Sequence, residues 1–338
     1  KRQIGRTDRE TGQSKEKRKI LMYRRAQIAA VVAASCMLTA GAGRTSQSYT
    51  ESGAMTDPLQ EAGAWMEELS AADYHTAYME DKMDGLREEI LEMTSAAAGS
   101  WSVYVKDLGT DLSFVINDQP MYAASLIKLF VMESCYGHMD LLVENDCIYS
   151  GSEEESRSKT EQLLHDMITV SDNNSCNELV RMHSADRSFA EGCEVIGTWL
   201  SGTACEDTGI FHSLSPSDTE RESISDERNR TSAADCGRLL EEIYEGTCVS
   251  EGASEEMLGL LLDQQRTGKI PSGVPEGVVT ANKTGETDEV QHDAAIVFGP
   301  QTDYILCVMS ADIASSEAAV STIQEISAMV YDCLNPLG

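Results

Sequence analysis

Three short segments constrain this 338-residue chain more than anything else in it: Ser125-Leu126-Ile127-Lys128, then Ser171-Asp172-Asn173, then Lys283-Thr284-Gly285. If they act together, the fold must bring three distant stretches to one cleft. A serine hydroxyl is a poor nucleophile at neutral pH and needs a basic group within hydrogen-bond reach. On a helix, residues three apart share a face, so Lys128 is expected beside Ser125. A lysine serves as a base only where desolvation or nearby cations lower its pKa. The apolar run Leu126, Ile127, Leu129, Phe130, Val131 and Met132 meets the first condition and Lys283 the second. The same S-x-x-K spacing recurs at Ser14 to Lys17, in a basic tail, and at Ser156 to Lys159, in an acidic stretch, without such a context. Singly, Ser125 and Ser171-Asp172-Asn173 also read as helix caps and Thr284-Gly285 as a turn. In order and together they point to serine acyl transfer.

The spacing of apolar residues predicts the places of these motifs. Trp101 to Val105 and Leu112 to Ile116 alternate around Leu108-Gly109-Thr110 as a hairpin, and Val278 to Thr284, Ala294 to Phe298 and Tyr304 to Ser310 read as three more strands. Helical periodicity occupies about 123–137, 160–169, 175–183, 188–200, 231–245, 254–265 and 316–332. The expected fold is α+β: a five-stranded antiparallel sheet flanked by helices, plus an all-α subdomain at about 123–265. A helix starting at Ser125 would direct free backbone N–H groups toward a developing oxyanion.

With these motifs in order, the chain resembles the penicillin-recognising serine enzymes, and among them the class A β-lactamases. The likeness extends to Asp226-Glu227-Arg228-Asn229-Arg230-Thr231-Ser232-Ala233, similar to the end of that family's omega loop. It continues through Lys269-Ile270-Pro271, Gly273-Val274-Pro275 and Ala281-Asn282 before the third motif and His292-Asp293-Ala294-Ala295-Ile296-Val297 after it, covering residues 74 to 338. The resemblance implies Ser125 as nucleophile, Lys128 as its proton acceptor or relay, and Ser171 as proton donor to the leaving nitrogen. It implies Asn173 holding a substrate amide, Lys283 keeping the site electropositive, Thr284 binding the substrate carboxylate, and Gly285 leaving room for substrate along the strand. The N–H groups of Ser125 and Glu286 would form the oxyanion hole. No cofactor and no metal is expected. The substrate would be a β-lactam or a peptidoglycan stem peptide. A D-Ala-D-Ala peptidase, or a penicillin-binding sensor that acylates without turnover, stays open beside hydrolysis of the β-lactam ring.

Two departures qualify the resemblance. No E-x-x-L-N-like string, whose glutamate activates the deacylating water in class A enzymes, occurs between Ser171 and Asp226. Counting back from Asp226 puts Pro216 at its place, and Glu206, Asp207, Asp218 and Glu220 are substitutes or plain solvated carboxylates. The position of a substrate-clamping arginine falls on His292, otherwise an exposed surface histidine.

The first 25 residues hold ten Lys or Arg against three acids, and residues 26 to 43 carry no charge. Residues 1–43 therefore read as a basic n-region and an apolar signal or anchor segment, compact if translation begins at Met22, with Ala40-Gly41-Ala42 as a cleavage candidate. Residues 44–73 read as an acidic polar linker, and 74–338 as the catalytic domain. An exported protein follows, extracellular or anchored to the outer face of the cytoplasmic membrane, touching membrane only through its N-terminal segment. Without the leader's ten basic and three acidic residues, sixteen basic and fifty-four acidic remain, a net charge near −38. Such a surface repels nucleic acid. A monomer is expected. Nine cysteines follow the leader, an odd number with no C-x-x-C or tight Cys/His cluster, which argues against zinc.

Overall fold

The computed structural model describes residues 58–336, with side chains from residue 76. The leader and residues 44–57 lie outside the described residues. The chain divides into two units, Lys1–Tyr78 and Met79–Gly338. Helix α1 (Pro58–Ala96) has its first residues inside the segment expected as a linker. In the second unit α1 buries Met79, Met83, Leu86 and Ile90, a stripe at helical spacing.

Five antiparallel strands make the sheet: β1 (Ser100–Asp107), β2 (Ser113–Ile116), β5 (Val279–Glu286), β6 (Val290–Phe298) and β7 (Asp303–Ala311), in the order β2-β1-β7-β6-β5. The expected hairpin and three strands are all there. Val103, Val105, Ala295, Val297, Leu306 and Val308 pack with α1 and with the C-terminal helix α9 (Ser316–Leu334), through Ile323, Ile326 and Val330. The other face is covered by α7 (Ala233–Glu245), where a side chain at Gly237 would meet the Tyr104 ring. With both faces covered, β6 and β7 lack the alternation of a half-exposed strand.

The helical part comprises α2 (Ile127–Gly137), α3 (Met139–Ser150), α4 (Glu153–Thr169), α5 (Asn173–Met182), α6 (Phe189–Leu200) and α8 (Glu251–Leu262). A two-stranded ribbon, β3 (Met121–Tyr122) with β4 (Arg230–Thr231), precedes the Ser125 turn and α7. Ser152, Asp172, Ser188, Ser232, Ser250 and Ser315 cap α4, α5, α6, α7, α8 and α9 with side-chain oxygens, each such cap contributing about 0.5–2 kcal/mol. Helix α3 escapes the periodicity because it has no side-chain cap and leaves Leu141, Ile148 and Tyr149 exposed.

Helices α5 and α6 approach closely at Gly192, where a Cβ would lie 1.9 Å from the Val180 carbonyl oxygen. Gly192→Ala is expected to lower stability by about 1–3 kcal/mol, read from urea midpoints. An unchanged midpoint would mean that this approach does not constrain α5.

Candidate active site

Ser125 lies in a 3₁₀ turn, Ala124–Leu126, and the α-helix starts only at Ile127. The expected helix start is thus displaced by two residues. Ala124 sits at φ 44°, the Leu126 N–H donates to the Ala123 carbonyl (2.9 Å), and the Ala123 N–H donates to the Asn229 carbonyl (2.8 Å). Ser125 caps nothing. Half-buried, its hydroxyl enters no hydrogen bond among the described residues.

The turn is seated on the third motif. A Cβ at Gly285 would lie 3.1 Å from the Ala123 carbonyl oxygen and 3.2 Å from both the Leu126 nitrogen and the His292 ring. Gly285 therefore lets the Ser125 turn and His292 approach the strand.

Lys128 is fully buried in the first turn of α2. Its ammonium donates to the Ser171 carbonyl (2.6 Å), Asn173 Oδ1 (2.7 Å) and Ser171 Oγ (3.2 Å), and not to Ser125. Lys283, also buried, donates to Ser171 Oγ (2.9 Å) and the Thr284 carbonyl (2.8 Å). The Ser171 hydroxyl thus joins the two lysines. Ser171 holds φ 62°, a backbone conformation that costs on the order of 1–3 kcal/mol for a non-glycine residue. Asp172 anchors it by capping α5, accepting from the Ser175 N–H at 2.7 Å. The middle residue of the motif is a cap, and its neighbours face the lysines.

Burial foremost lowers Lys128 to about 8, although Cys176 and Asp172 favour its charge. Burial foremost, then the positive Lys128, drives Lys283 well below the ordinary lysine value. No carboxylate among the described residues is hydrogen-bonded to either. Lys128, Ser171 Oγ and Lys283 thus form a continuous chain of hydrogen bonds. Such a chain can carry a proton in either direction.

Asn173 uses both ends of its amide, Oδ1 on Lys128 and Nδ2 on the Ser215 carbonyl (3.1 Å). Two more asparagines of α5 clamp the same segment: Asn174 exchanges bonds with Asp218, and Asn177 with the Leu214 backbone. Thr284 is buried, and its hydroxyl, like that of Ser125, bonds to no described residue. Glu286 is exposed, its carboxylate paired with Arg266 (2.6 Å) and Lys269 (3.3 Å). Sequence reasoning missed the layer behind this strand. Buried Lys269 donates to the Gly285 and His292 carbonyls, at 3.2 and 3.0 Å. Buried Asp293 accepts from Asn282 Nδ2 and the Ile270 N–H, both at 2.9 Å, and burial pushes its carboxyl up to about 6.

A profile of the beta-lactamase enzyme family matches residues 85–334. The chain belongs to that family. The solved structure of PBP-A is 21% identical with a TM-score of 0.60, covering 73% of this chain and 95% of that one. A point mutant of PBP-A, described as an acyl-enzyme complex with penicillin G, is 20% identical with a TM-score of 0.60, at 74% and 96% coverage. A β-lactamase from Sphaerobacter thermophilus is 17% identical with a TM-score of 0.61, at 75% and 98% coverage. These likenesses establish the shared fold. No curated protein matches the chain.

Within this beta-lactamase-family fold, the departures seen in sequence take physical form. Glu206, Asp218 and Glu220 are exposed, and the Asp207 N–H is tied to the Asp235 carboxylate. His292 is not a surface residue: it is fully buried, and the Ser310 N–H donates to its Nδ1 (3.2 Å), so Nε2–H donates to the Tyr122 carbonyl (2.9 Å). Its role is to tie β6 and β7 to the ribbon that leads into the Ser125 turn. Burial foremost lowers its pKa to about 4. It is therefore expected to stay neutral and protonated on Nε2 from pH 7 down to about 5. Imidazole ¹⁵N shifts check this, and titration near 6.5 would contradict the arrangement.

Proposed function

We propose that this chain is a serine acyl-enzyme hydrolase that opens the amide of a β-lactam ring with Ser125 as nucleophile. The observation that carries the reading is the Lys128–Ser171–Lys283 chain of hydrogen bonds beside a serine whose hydroxyl is unspent. Neutral Lys128 takes the Ser125 proton as Oγ attacks the carbonyl carbon, the contacts tightening when substrate binds. The N–H groups of Ser125 and Glu286 hold the resulting oxyanion, about 3 kcal/mol for each donor. Collapse breaks the C–N bond, and the nitrogen receives its proton from the Ser171 hydroxyl, which recovers one from the lysines. The Thr284 hydroxyl meets the substrate carboxylate. Asn173 contributes its remaining N–H to the substrate side chain.

Release of the acyl group needs an activated water, and no carboxylate among the described residues is hydrogen-bonded to this group. Acylation should therefore outrun deacylation. The same feature favours, as a second reading, an enzyme that transfers acyl groups from D-Ala-D-Ala peptides. The basic-then-apolar leader supports an exported enzyme. Among the described residues, no helix is long and apolar enough to cross a membrane.

Incubation with a β-lactam is expected to label Ser125, read by peptide mass mapping, and Ser125→Ala to abolish the label. A label elsewhere would remove the assignment. Pre-steady-state hydrolysis of a chromogenic cephalosporin should give a burst of about one equivalent and then slow turnover. Release of D-alanine from a stem peptide, without cephalosporin turnover, would favour the peptidase.

Because Lys128 is lowered to about 8, its free amine grows as pH rises and saturates above that value. The single-turnover acylation rate should climb roughly tenfold between pH 6 and 7 and level off above about 8. Lys128→Ala should slow it on the order of 10²–10⁴-fold. A pH-independent rate, or near-normal acylation by a folded Lys128→Ala, would take this lysine out of the mechanism.

A further inference from the structure

We propose that Glu133, Glu242 and Cys248 form a binding site for a thiophilic divalent cation of the zinc type, toward the C-terminal end of the helix that carries Lys128. One ligand atom from each lies within 4.8 Å of the others. Glu133 comes from α2 and Glu242 from α7. Cys248 comes from the loop after α7, where its N–H donates to the Glu242 carbonyl (3.1 Å) and its own carbonyl accepts from Ser254 Oγ (2.9 Å). The end of α7 thus sets the thiol against Glu242.

A second observation calls for a ligand. Glu133 is 3% exposed, its Oε1 accepts from Trp199 Nε1 (3.0 Å), and its Oε2 is buried with no hydrogen-bond partner. An orphaned buried carboxylate oxygen is unfavourable, since it has given up water without gaining a partner. No described lysine or arginine is ion-paired with Glu133 or Glu242. Burial foremost, opposed by the Trp199 bond and reinforced by Glu242, pushes Glu133 up to about 7. Burial, then Glu133 and Glu242, pushes the Cys248 thiol up as well.

A cation would answer this arrangement by displacing the protons of Cys248 and Glu133 to water and taking all three anions as ligands. The thiolate selects a zinc-like ion over magnesium or calcium. Zn–S near 2.3 Å and Zn–O near 2.1 Å put tetrahedral ligand atoms about 3.5 Å apart, roughly 1 Å inside the present limit. Three protein ligands leave the fourth position to water, and half-buried Glu242 offers the way in. Glu133 lies five residues beyond Lys128, about 7.5 Å of helix rise, so the ion would fasten the catalytic helix to the end of α7.

The test titrates full-length protein, stripped by a chelator, with Co²⁺ and Zn²⁺ alone. One equivalent of Co²⁺ should produce a thiolate charge-transfer band that Zn²⁺ displaces, and Tm should rise with Zn²⁺ as for a ligand of the native state. Cys248→Ser should remove the band, and Glu133→Gln should weaken Zn²⁺ binding at least tenfold. Absence of both band and Tm shift in the wild type overturns the proposal, as does an unchanged band in Cys248→Ser, which would put the metal on other thiols. If Cys248→Ser does not fold, Glu133→Gln decides: unchanged affinity there rejects the site.

Discussion

Two lysine side chains, Lys128 and Lys283, are fully buried and share the hydroxyl of Ser171. Taking a charge out of water costs several kcal/mol even after relaxation, and two adjacent ammoniums would add mutual repulsion. The chain meets this in two ways. Burial lowers both pKa values, so one lysine sheds its proton cheaply. Peptide and amide oxygens, those of Ser171, Thr284 and Asn173, take the remaining N–H bonds. That solution requires Ser171 to turn both its carbonyl and its hydroxyl inward, which explains its left-handed backbone and the Asp172 cap holding it there.

The same demand reaches into the sheet. Lys283 can meet Ser171 only if β5 is held in place at the sheet's edge, with a partner strand on one side. Lys269 binds the carbonyls of Gly285 and His292 on adjacent strands, while Asp293 joins Asn282 to the backbone at Ile270. His292 secures β6 and β7 to Tyr122, three residues before Ser125. Nucleophile turn and third motif are therefore positioned by one buried polar layer. Each member has a partner, the condition under which such layers rigidify a site rather than weaken it.

What was legible in the sequence was whatever repeats at short range. Strand alternation, capped helices and the three motifs lie within windows of a few residues, and the sheet and six of the seven anticipated helices stand close to where the pattern put them; the seventh, at 123–137, opens with a 3₁₀ turn. Helix α1 carried a readable stripe at Met79, Met83, Leu86 and Ile90, inside the expected catalytic domain but absent from the anticipated helices. His292 was misjudged because a lone histidine in a strand says nothing of which elements cover it. Lys269 and Asp293 gave no signal either, since their partners are set by the sheet register. The same is true of Glu133, Glu242 and Cys248, whose separations match no metal-binding spacing and which meet only through packing.

The missing carboxylate and the low lysine pKa are two sides of one arrangement. A carboxylate within about 4–6 Å of Lys128 would favour its charged form and raise its pKa, removing the free amine that the proposed acylation needs near neutral pH. A site that relies on a neutral lysine to start the reaction must therefore keep any water-activating acid off that lysine. The segment carrying Asp218 is clamped to α5 through Asn173, Asn174 and Asn177, which holds its acidic side chains in solvent. On this reading the three asparagines preserve the free amine that the proposed acylation needs, and slow release of the acyl group is the physical consequence.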